Sequence, residues 1–380
     1  MLFLCFMTTL IGIARTRISV VIALILPFFS LDILAQYNIG LHLMRGFPAM
    51  ESGYEKGVSA CFAGAIGRQL IMAGGCNFPD IPAADGGKKR YYKGIYAAKI
   101  GQGDSLEWRH IGDLPVKSAY GVAVTWKKSI ICIGGNNASE ALNAVVQIKI
   151  RKGKAVITRL PSLPCALDNM TGSVVGNCIY VAGGNRNGMA VNTVLCLNLE
   201  DIAGGWHEIV AFPGMARVQP VSGGFKKSVF KMWGGFAPRT ANKAATLSMN
   251  GVALAVGKAL WYDLPAPVGM NNEEIFLGGA ASVMLSDDRM LAIGGVNRLV
   301  FLRALNEQQT DYLRHDAEWY KFNPHILLYE DEKWHVIGTN NVMARAGSSL
   351  VRVRDTIYII GGELMPGVRT PTVYRMKLRR

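Results

Sequence analysis

A short apolar run that ends in two glycines occurs six times along this chain. The Gly-Gly pairs follow one another at intervals of 60, 49, 51, 60 and 67 residues. The runs are LIMAGG ending at Gly75, IICIGG at Gly135, IYVAGG at Gly184, FKMWGG at Gly235, MLAIGG at Gly295 and IYIIGG at Gly362. Self-similarity at a period of tens of residues indicates a repeat architecture. The 380 residues therefore predict six similar units rather than two or three separate domains.

Each unit contains four β-like runs in the same order. A run of small residues precedes the Gly-Gly run, a second β-rich run follows it, and a Trp or β-branched residue then leads to a Leu-Pro or Phe-Pro turn; GVAVTW, AVVQIKI and LPSLP are examples. Four short strands per unit of roughly 50 residues are typical of Kelch-type propeller blades. Glycine suits the inner strands because it has no side chain and adopts backbone angles closed to other residues. The predicted fold is all-β, a six-bladed Kelch-type β-propeller.

The two ends of the repeat array are complementary. The last unit stops after its third strand, TVYRMKL, whereas the segment 41–48 near the start resembles a fourth strand with its Phe-Pro turn. We expect this N-terminal strand to complete the last blade, because closing the ring removes open sheet edges that would otherwise aggregate. Residues 36–380 are thus predicted to form a single domain.

The first 35 residues are strongly apolar. Arg15 and Arg17 precede the longer apolar run, and small residues lie near Ala35. This pattern predicts a secretory signal, cleaved near Ala35, and export to the periplasm. The alternative is a membrane anchor, although Pro27 interrupts the run. No later segment is apolar for long enough to span a membrane, so we expect no membrane association after cleavage.

The net charge is +14, and it is +13 without residues 1–35, which hold two Arg and one Asp. A basic surface favours nucleic acid, anionic membranes or a small acidic ligand. The Lys and Arg are scattered, and no block of five or six like charges occurs. We therefore expect no nucleic-acid partner and favour a small anionic ligand. The oligomeric state is not predicted by the sequence.

The cysteines and histidines give no sign of a metal site. Six cysteines follow the signal: Cys61, Cys76, Cys132, Cys165, Cys178 and Cys196. None forms a CxxC motif, and we interpret them as small buried hydrophobic residues, with an oxidised pair as the alternative. No two His have metal-ligand spacing with a third ligand nearby, and no phosphate-binding or dinucleotide motif occurs. We expect neither a metal nor an organic cofactor.

The segments after each Gly-Gly and the loops between blades should share one face around the central channel, because strands in a blade alternate in direction. These segments are rich in Arg and Asn, which suit an anionic, hydroxyl-rich ligand. The predicted ligand-binding residues are Asn77, Asn136, Asn185, Arg186, Arg217, Gln219, Asn297 and Arg345. The alternative for any one of them is that it satisfies loop carbonyls or occupies a left-handed turn. Insertions at 76–94 and 299–322, the second partly helical, should rise on the same face.

The segment from Gly361 to Thr370 reads Gly-Gly-Glu, then Pro-Gly, then Arg-Thr. With the long insertion after Gly295, it resembles the sialic acid mutarotases, the Kelch-type N-acetylneuraminate epimerases. The motif lies in the last unit, whereas it is central in the founding members of the family. In this order of units the chain resembles the cyclically permuted branch of the family. Met365 departs from the family pattern, in which a Lys is common.

The resemblance implies an isomerase that interconverts the α and β anomers of N-acetylneuraminate without a cofactor. It implies that Glu363 is the proton acceptor and that Arg369 is the second functional residue. A carboxylate can act as base at the anomeric hydroxyl, and a guanidinium can grip the carboxylate of the sugar. Two other functions remain open: a non-catalytic propeller that binds a glycan or a protein, and a copper oxidase, which would need a convergent Tyr, His and Cys set.

Overall fold

The computed structural model describes residues 37–379. The predicted signal at residues 1–35 lies outside the described residues. The described chain forms six four-stranded antiparallel sheets. The innermost strands of neighbouring sheets contact one another in a closed ring around a central channel. The predicted all-β, six-bladed propeller is confirmed.

In the first five blades, the four strands follow one another along the chain from the channel outwards. Their bounds are Phe62–Ile66, Gln69–Ala73, Gly94–Lys99 and Trp108–Asp113 in blade 1; Val122–Trp126, Ser129–Ile133, Val145–Arg151 and Lys154–Arg159 in blade 2; Thr171–Val175, Cys178–Ala182, Val194–Asn198 and Trp206–Ile209 in blade 3; Val221–Phe225, Val229–Trp233, Gly251–Ala255 and Leu260–Leu264 in blade 4; and Ala280–Met284, Met290–Gly294, His325–Glu330 and Lys333–Thr339 in blade 5.

Blade 6 is assembled from both ends of the described chain. Ser349–Val353, Thr356–Ile360 and Val373–Arg379 are its inner three strands, and Asn38–Met44 pairs antiparallel with the third of them. The predicted ring closure by an N-terminal strand is therefore confirmed. The strand ends before the Phe-Pro turn that the sequence included in it.

Shorter elements connect the strands. Two-stranded ribbons join Cys76–Asn77 to Arg90–Tyr91, Asn185–Arg186 to Met189–Ala190, Phe236–Ala237 to Thr246–Leu247, and Glu363–Met365 to Val368–Arg369. The 3-10 turns are Tyr54–Lys56, Ala83–Asp85, Ile202–Gly204, Val256–Lys258 and Asn341–Met343. The insertion of blade 5 carries helices α1 (Arg298–Glu307) and α2 (Ala317–Tyr320), as its sequence predicted. None of the helices in residues 37–379 has the length and apolar character needed to cross a membrane.

The Gly-Gly pairs allow the loop of the next blade to approach the backbone. Gly74 has φ of +62°, and a Cβ built there would lie 2.2 Å from the carbonyl oxygen of Ser118. The neighbouring Gly75 has φ of +100°, and its N–H donates to the same carbonyl. Any side chain at the first position would push the adjoining blade away, because that contact is with backbone. The repeated glycines thus couple each blade to the loops on the channel face.

The six cysteines in the described residues are free thiols. Cys76 and Cys132 are buried, and Cys132 lies in the core between blades 1 and 2, as expected for a small hydrophobic residue. The other four are partly buried.

Met44 links the closing strand to the core between blades 6 and 1. Its side chain is 5% exposed and packs in a cluster that includes Trp108 and Tyr358. We expect Met44→Ala to lower the free energy of unfolding by about 2–5 kcal/mol through the cavity it leaves. Leu43→Ala, one residue away and 54% exposed, should change it by less than about 0.5 kcal/mol. Chemical denaturation of both variants measures the difference, and equal losses would contradict the role of Met44 in closing the ring.

Candidate functional site

Six backbone hydrogen bonds form a closed ring at one mouth of the channel. Each blade contributes one residue, and its N–H donates to the carbonyl of the equivalent residue in the blade before it, over 2.7–3.2 Å. The ring residues are Ala60, Tyr120, Asn169, Gln219, Gly279 and Gly347. All six have left-handed backbone angles, with φ between 54° and 70°. Because the ring fixes every blade relative to its neighbours, side chains that project from it are held in a rigid frame.

A cavity of about 210 Å³ opens at this ring. All six ring residues line it, and so does Glu363. A second cavity of about 240 Å³ lies between the inner strands, and hydroxyls of Thr171, Ser222 and Ser282 line it. The two cavities share several lining residues and are therefore continuous along the channel. Concave, partly polar spaces of this kind are where small ligands bind.

The residue directly after each Gly-Gly pairs with the residue that precedes the ring position of its own blade. Backbone bridges or hydrogen bonds show this for all six blades. The residues at this position, from blade 1 to blade 6, are Cys76, Asn136, Asn185, Phe236, Val296 and Glu363. The mouth is therefore asymmetric. At this position blades 4 and 5 contribute the apolar Phe236 and Val296, whereas blades 2, 3 and 6 contribute an amide, an amide and a carboxylate.

A short ribbon places Glu363 opposite Arg369. Glu363–Met365 pairs with Val368–Arg369 across a turn at Pro366-Gly367, where Gly367 has φ of +87°. The Pro-Gly turn between them in the sequence thus brings the two residues opposite each other in the ribbon. Arg369 Nη2 donates to Glu363 Oε1. The Glu363 side chain is 22% exposed, whereas that of Arg369 is 2% exposed.

Burial and the neighbouring cations have opposite effects on Glu363. Desolvation raises the pKa of its carboxyl above the usual range, and the charges of Arg369 and Lys89 only partly offset this. Burial opposes the charged form of Arg369, but the attraction of the Glu363 carboxylate outweighs this and raises the pKa of Arg369. A carboxylate whose pKa is moved toward neutrality can both accept and return a proton near physiological pH.

The remaining bonds of Arg369 fix its position. Its Nε donates to the hydroxyl of Ser59 over 3.1 Å, and its guanidinium carbon lies 4.9 Å from the centre of the Phe78 ring. Within residues 37–379, its buried Nη1 has no hydrogen-bond partner. An orphaned N–H of a buried guanidinium is costly unless another group satisfies it. It therefore marks a position for an acceptor atom of a ligand.

Lys89 adds a second cation to this side of the mouth. Its ammonium donates to the Tyr120 hydroxyl over 3.1 Å and lies 4.8 Å from the centre of the Tyr120 ring. It belongs to the insertion at 76–94, which the sequence predicted to rise on this face. Arg369 and Lys89 are thus two cations beside the single carboxylate of Glu363 on this side of the mouth.

A network of amides extends across blades 3 and 4. Asp168 Oδ1 accepts from Asn169 Nδ2 over 2.6 Å and from Asn185 Nδ2 over 3.0 Å. Gln219 Nε2 donates to Asn169 Oδ1 over 2.8 Å. In the described residues, the side-chain oxygens of Asn136 and Asn185 are buried without a partner. Of the predicted binding residues, Asn136, Asn185 and Gln219 therefore lie around the channel mouth together with the Glu363–Arg369 pair.

Arg217 and Arg345 do not project into this cavity. Both are 2% exposed, and burial lowers the pKa of each to about 10. Arg217 donates to the carbonyls of Met215, Gly234 and Asn250, and Arg345 donates to those of Val342 and Gly361. Each arginine thus fixes the loop before a blade to the first glycine of that blade's Gly-Gly pair. These contacts favour the structural alternative for both residues over the ligand-binding prediction.

Asn77 and Asn297 also have their polar atoms engaged within the protein. Asn77 is 2% exposed, donates to the carbonyls of Gly53 and Gly57, and accepts from the Tyr92 hydroxyl. Asn297 is the N-cap of α1, where its Oδ1 accepts from two backbone N–H groups. Arg186 lies exposed on its ribbon. None of the three lines the cavity at the channel mouth.

Sequence reasoning assigned no role to Tyr120, and it treated Lys89 only as part of an insertion. A signal for Tyr120 was present. Each of the six ring residues precedes the first glycine of its Gly-Gly pair by 14 or 15 residues. Alignment of the six units on those glycines would have placed an aromatic side chain in the ring.

No group of three or more His, Cys, Asp or Glu side chains in residues 37–379 is arranged to hold a metal ion. The expectation that the protein works without a metal or an organic cofactor stays a prediction.

Comparison with known proteins gives a consistent result. The family model described as N-acetylneuraminate epimerase matches residues 34–157 and 160–380. The N-acetylneuraminate epimerase of Salmonella enteritidis PT4 is 28% identical over 233 residues, 57% of this chain and 58% of that protein. The N-acetylneuraminate epimerase of Yersinia enterocolitica serotype O:8 is 27% identical over 237 residues, 58% of this chain and 57% of that protein. The matches thus span less than two thirds of the length of these curated relatives.

A solved structure described as "Structure of YjhT" has a similar fold. The TM-score is 0.60 at 13% sequence identity, and the alignment covers 85% of this chain and 98% of that one. At this identity the likeness supports the fold alone. The cyclic permutation of the units stays a prediction.

Proposed function

Since this chain belongs to the N-acetylneuraminate epimerase family, we propose that it is an isomerase that interconverts the α and β anomers of N-acetylneuraminate. One observation carries the proposal. The Glu363 carboxylate lines the cavity at the channel mouth, and the buried guanidinium of Arg369 holds it there. Within the described residues, no other acidic side chain lines that cavity.

The chemistry of anomer exchange needs proton transfer and little else. A base removes the proton of the anomeric hydroxyl, the bond between the anomeric carbon and the ring oxygen breaks, and the ring oxygen takes up a proton. Closure on the other face of the carbonyl reverses these steps. We assign the base to Glu363, because burial raises the pKa of its carboxyl toward the range where proton transfer is efficient. No electron is transferred, so the step requires no redox cofactor.

The charges at the mouth suit an acidic sugar. Arg369 and Lys89 are two cations beside the single carboxylate of Glu363, an arrangement that favours a ligand carboxylate on this side of the mouth. The unpartnered Nη1 of Arg369 supplies one donor, since guanidinium N–H groups bind carboxylates strongly. The partner we propose is therefore a small anionic sugar, a sialic acid.

The test uses NMR of α-N-acetylneuraminate freshly released by a sialidase. We expect catalytic amounts of the purified protein to increase the rate of exchange between the anomers. An unaltered exchange rate would exclude mutarotase activity. If the protein instead bound the sugar saturably without any effect on exchange, it would be a binding propeller, the alternative function.

We also propose that residues 1–35 direct export to the periplasm and are removed. The support is their apolar composition with two arginines ahead of the longer run. N-terminal sequencing of the protein from the periplasmic fraction should give a start near residue 36. Recovery of the intact N-terminus in the membrane fraction would favour the anchor instead.

A further inference from the structure

Tyr120 occupies a strained position at the channel mouth. Its φ is +59°, which is unusual for a bulky residue. The other five ring positions hold Ala, Asn, Gln and two Gly, which are small or polar. A non-glycine residue with left-handed angles is strained and persists where the surroundings enforce it. Tyr120 and Glu363 line the same cavity.

Neighbouring groups orient the hydroxyl of Tyr120 and shift its pKa. Lys89 Nζ donates to the phenolic oxygen over 3.1 Å, so the phenolic hydrogen points away from the ammonium. The Cys76 thiol is a further hydrogen-bond partner of this hydroxyl within the protein. Burial raises the pKa of Tyr120 well above its usual range, and the nearby Cys76 and Glu363 add to this, while Arg369 lowers it. The phenol therefore keeps its proton at neutral pH. It is a donor in the cavity where Glu363 is an acceptor.

We propose that Tyr120 is the general acid that protonates the ring oxygen of the sugar, and that Lys89 orients its hydroxyl. This rests on the proposed function. Glu363 takes the proton of the anomeric hydroxyl, the electrons of the ring carbon–oxygen bond pass to the ring oxygen, and Tyr120 gives that oxygen its proton. On closure, the phenolate takes the proton back and Glu363 returns its own. Protons and electrons balance over one cycle without another reactant.

Other groups near Glu363 fit this role less well. The Cys76 thiol is fully buried, and its sulfur lies 3.9 Å from the carbonyl oxygen of Ser59. The amides of Asn169 and Gln219 donate hydrogen bonds but do not release protons. Tyr120 is the ring residue with a transferable proton. Lys89 is then a positioning residue, because it acts through the Tyr120 oxygen.

The test is Tyr120→Phe, measured by NMR exchange kinetics at saturating and subsaturating sugar. We expect kcat to fall on the order of 10²-fold, with KM changed much less. Tyr262→Phe removes a phenol from the outer strand of blade 4, where the residue is 41% exposed, and should leave both constants unchanged. Unfolding curves of both variants show whether the fold is intact. Unchanged kcat in folded Tyr120→Phe overturns the inference while the proposed function stands, whereas an inactive wild-type protein overturns both.

A second variant separates chemistry from folding. Lys89→Met should lower kcat and move the alkaline limb of the pH profile to higher pH, because it removes the ammonium that donates to the phenolic oxygen. Lys89→Arg should restore both. Full activity and an unmoved alkaline limb in Lys89→Met would overturn the role of Lys89.

Discussion

Glu363→Gln should reduce the catalysed anomer exchange by about 10²–10⁴-fold, the range that a positioned base contributes. Gln has the same shape and can still accept a hydrogen bond from Arg369, so the ribbon should keep its fold. It has no basic site for the anomeric proton. The measurement is the exchange rate in NMR at equal protein concentration, together with thermal unfolding of both proteins.

Glu140→Gln is the matched control. Glu140 also lies on a loop after a Gly-Gly pair, but it is exposed and its N–H bonds to the side chain of Asn137. It should leave the exchange rate unchanged. If Glu363→Gln retained the wild-type rate, Glu363 would be a partner of Arg369 that only fixes the loop, and the base would have to be sought elsewhere.

The fold was predictable because one local device recurs in every unit. In five of the six units, a Cβ on the first glycine would collide with a backbone carbonyl oxygen of the next blade's loop, as at Gly74 and Ser118. This requirement is local, so it leaves a pattern in the sequence. The closing strand was predictable for a related reason, since an unpaired strand at one end and a missing strand at the other imply each other. Its bounds were less accurate, because the pairing partners of Asn38 lie at the far end of the chain.

The site was only partly predictable. In a sequence, an Arg or Asn on a loop that binds a ligand cannot be distinguished from one that binds a backbone carbonyl. The buried guanidinium groups of Arg217 and Arg345 donate to glycine carbonyls, and these contacts exist only in the assembled propeller. Glu363 and Arg369 were predicted from the family resemblance, and the Pro-Gly turn between them accounts for their opposition across the ribbon. Tyr120 and Lys89 come from different blades' loops, and their contact depends on the insertion folding back over the ring.

Arg369→Met should have the second large effect, through Glu363. Arg369 is the largest of the influences that lower the pKa of Glu363 against its burial. Without it, that pKa rises further, and the ionised base forms only at higher pH. At neutral pH we expect a strong loss of activity, and we expect the acidic limb of the kcat/KM profile to move to higher pH. The pH dependence of anomer exchange measures this directly.

The same change makes stability depend on pH with a defined sign. The folded-state pKa of Glu363 is raised, so its contribution to stability is fully present below the unfolded pKa and is lost as pH rises through the folded pKa. Removal of Arg369 raises that pKa further and enlarges the loss above it. Breaking a fully buried ion pair costs about 3–5 kcal/mol. The partly exposed Glu363 side chain should bring this toward the lower end, about 3 kcal/mol or less.

The double variant Arg369→Met with Glu363→Gln is the control, because it removes the uncompensated charge. It should unfold with less dependence on pH than Arg369→Met alone, and the double-mutant cycle gives the coupling between the two residues. Arg369→Lys keeps the charge but not the planar fork and should lie between wild type and Arg369→Met. If the acidic limb of Arg369→Met coincided with that of the wild type, Arg369 would not control the ionisation of Glu363. Its role would then be confined to the bound sugar.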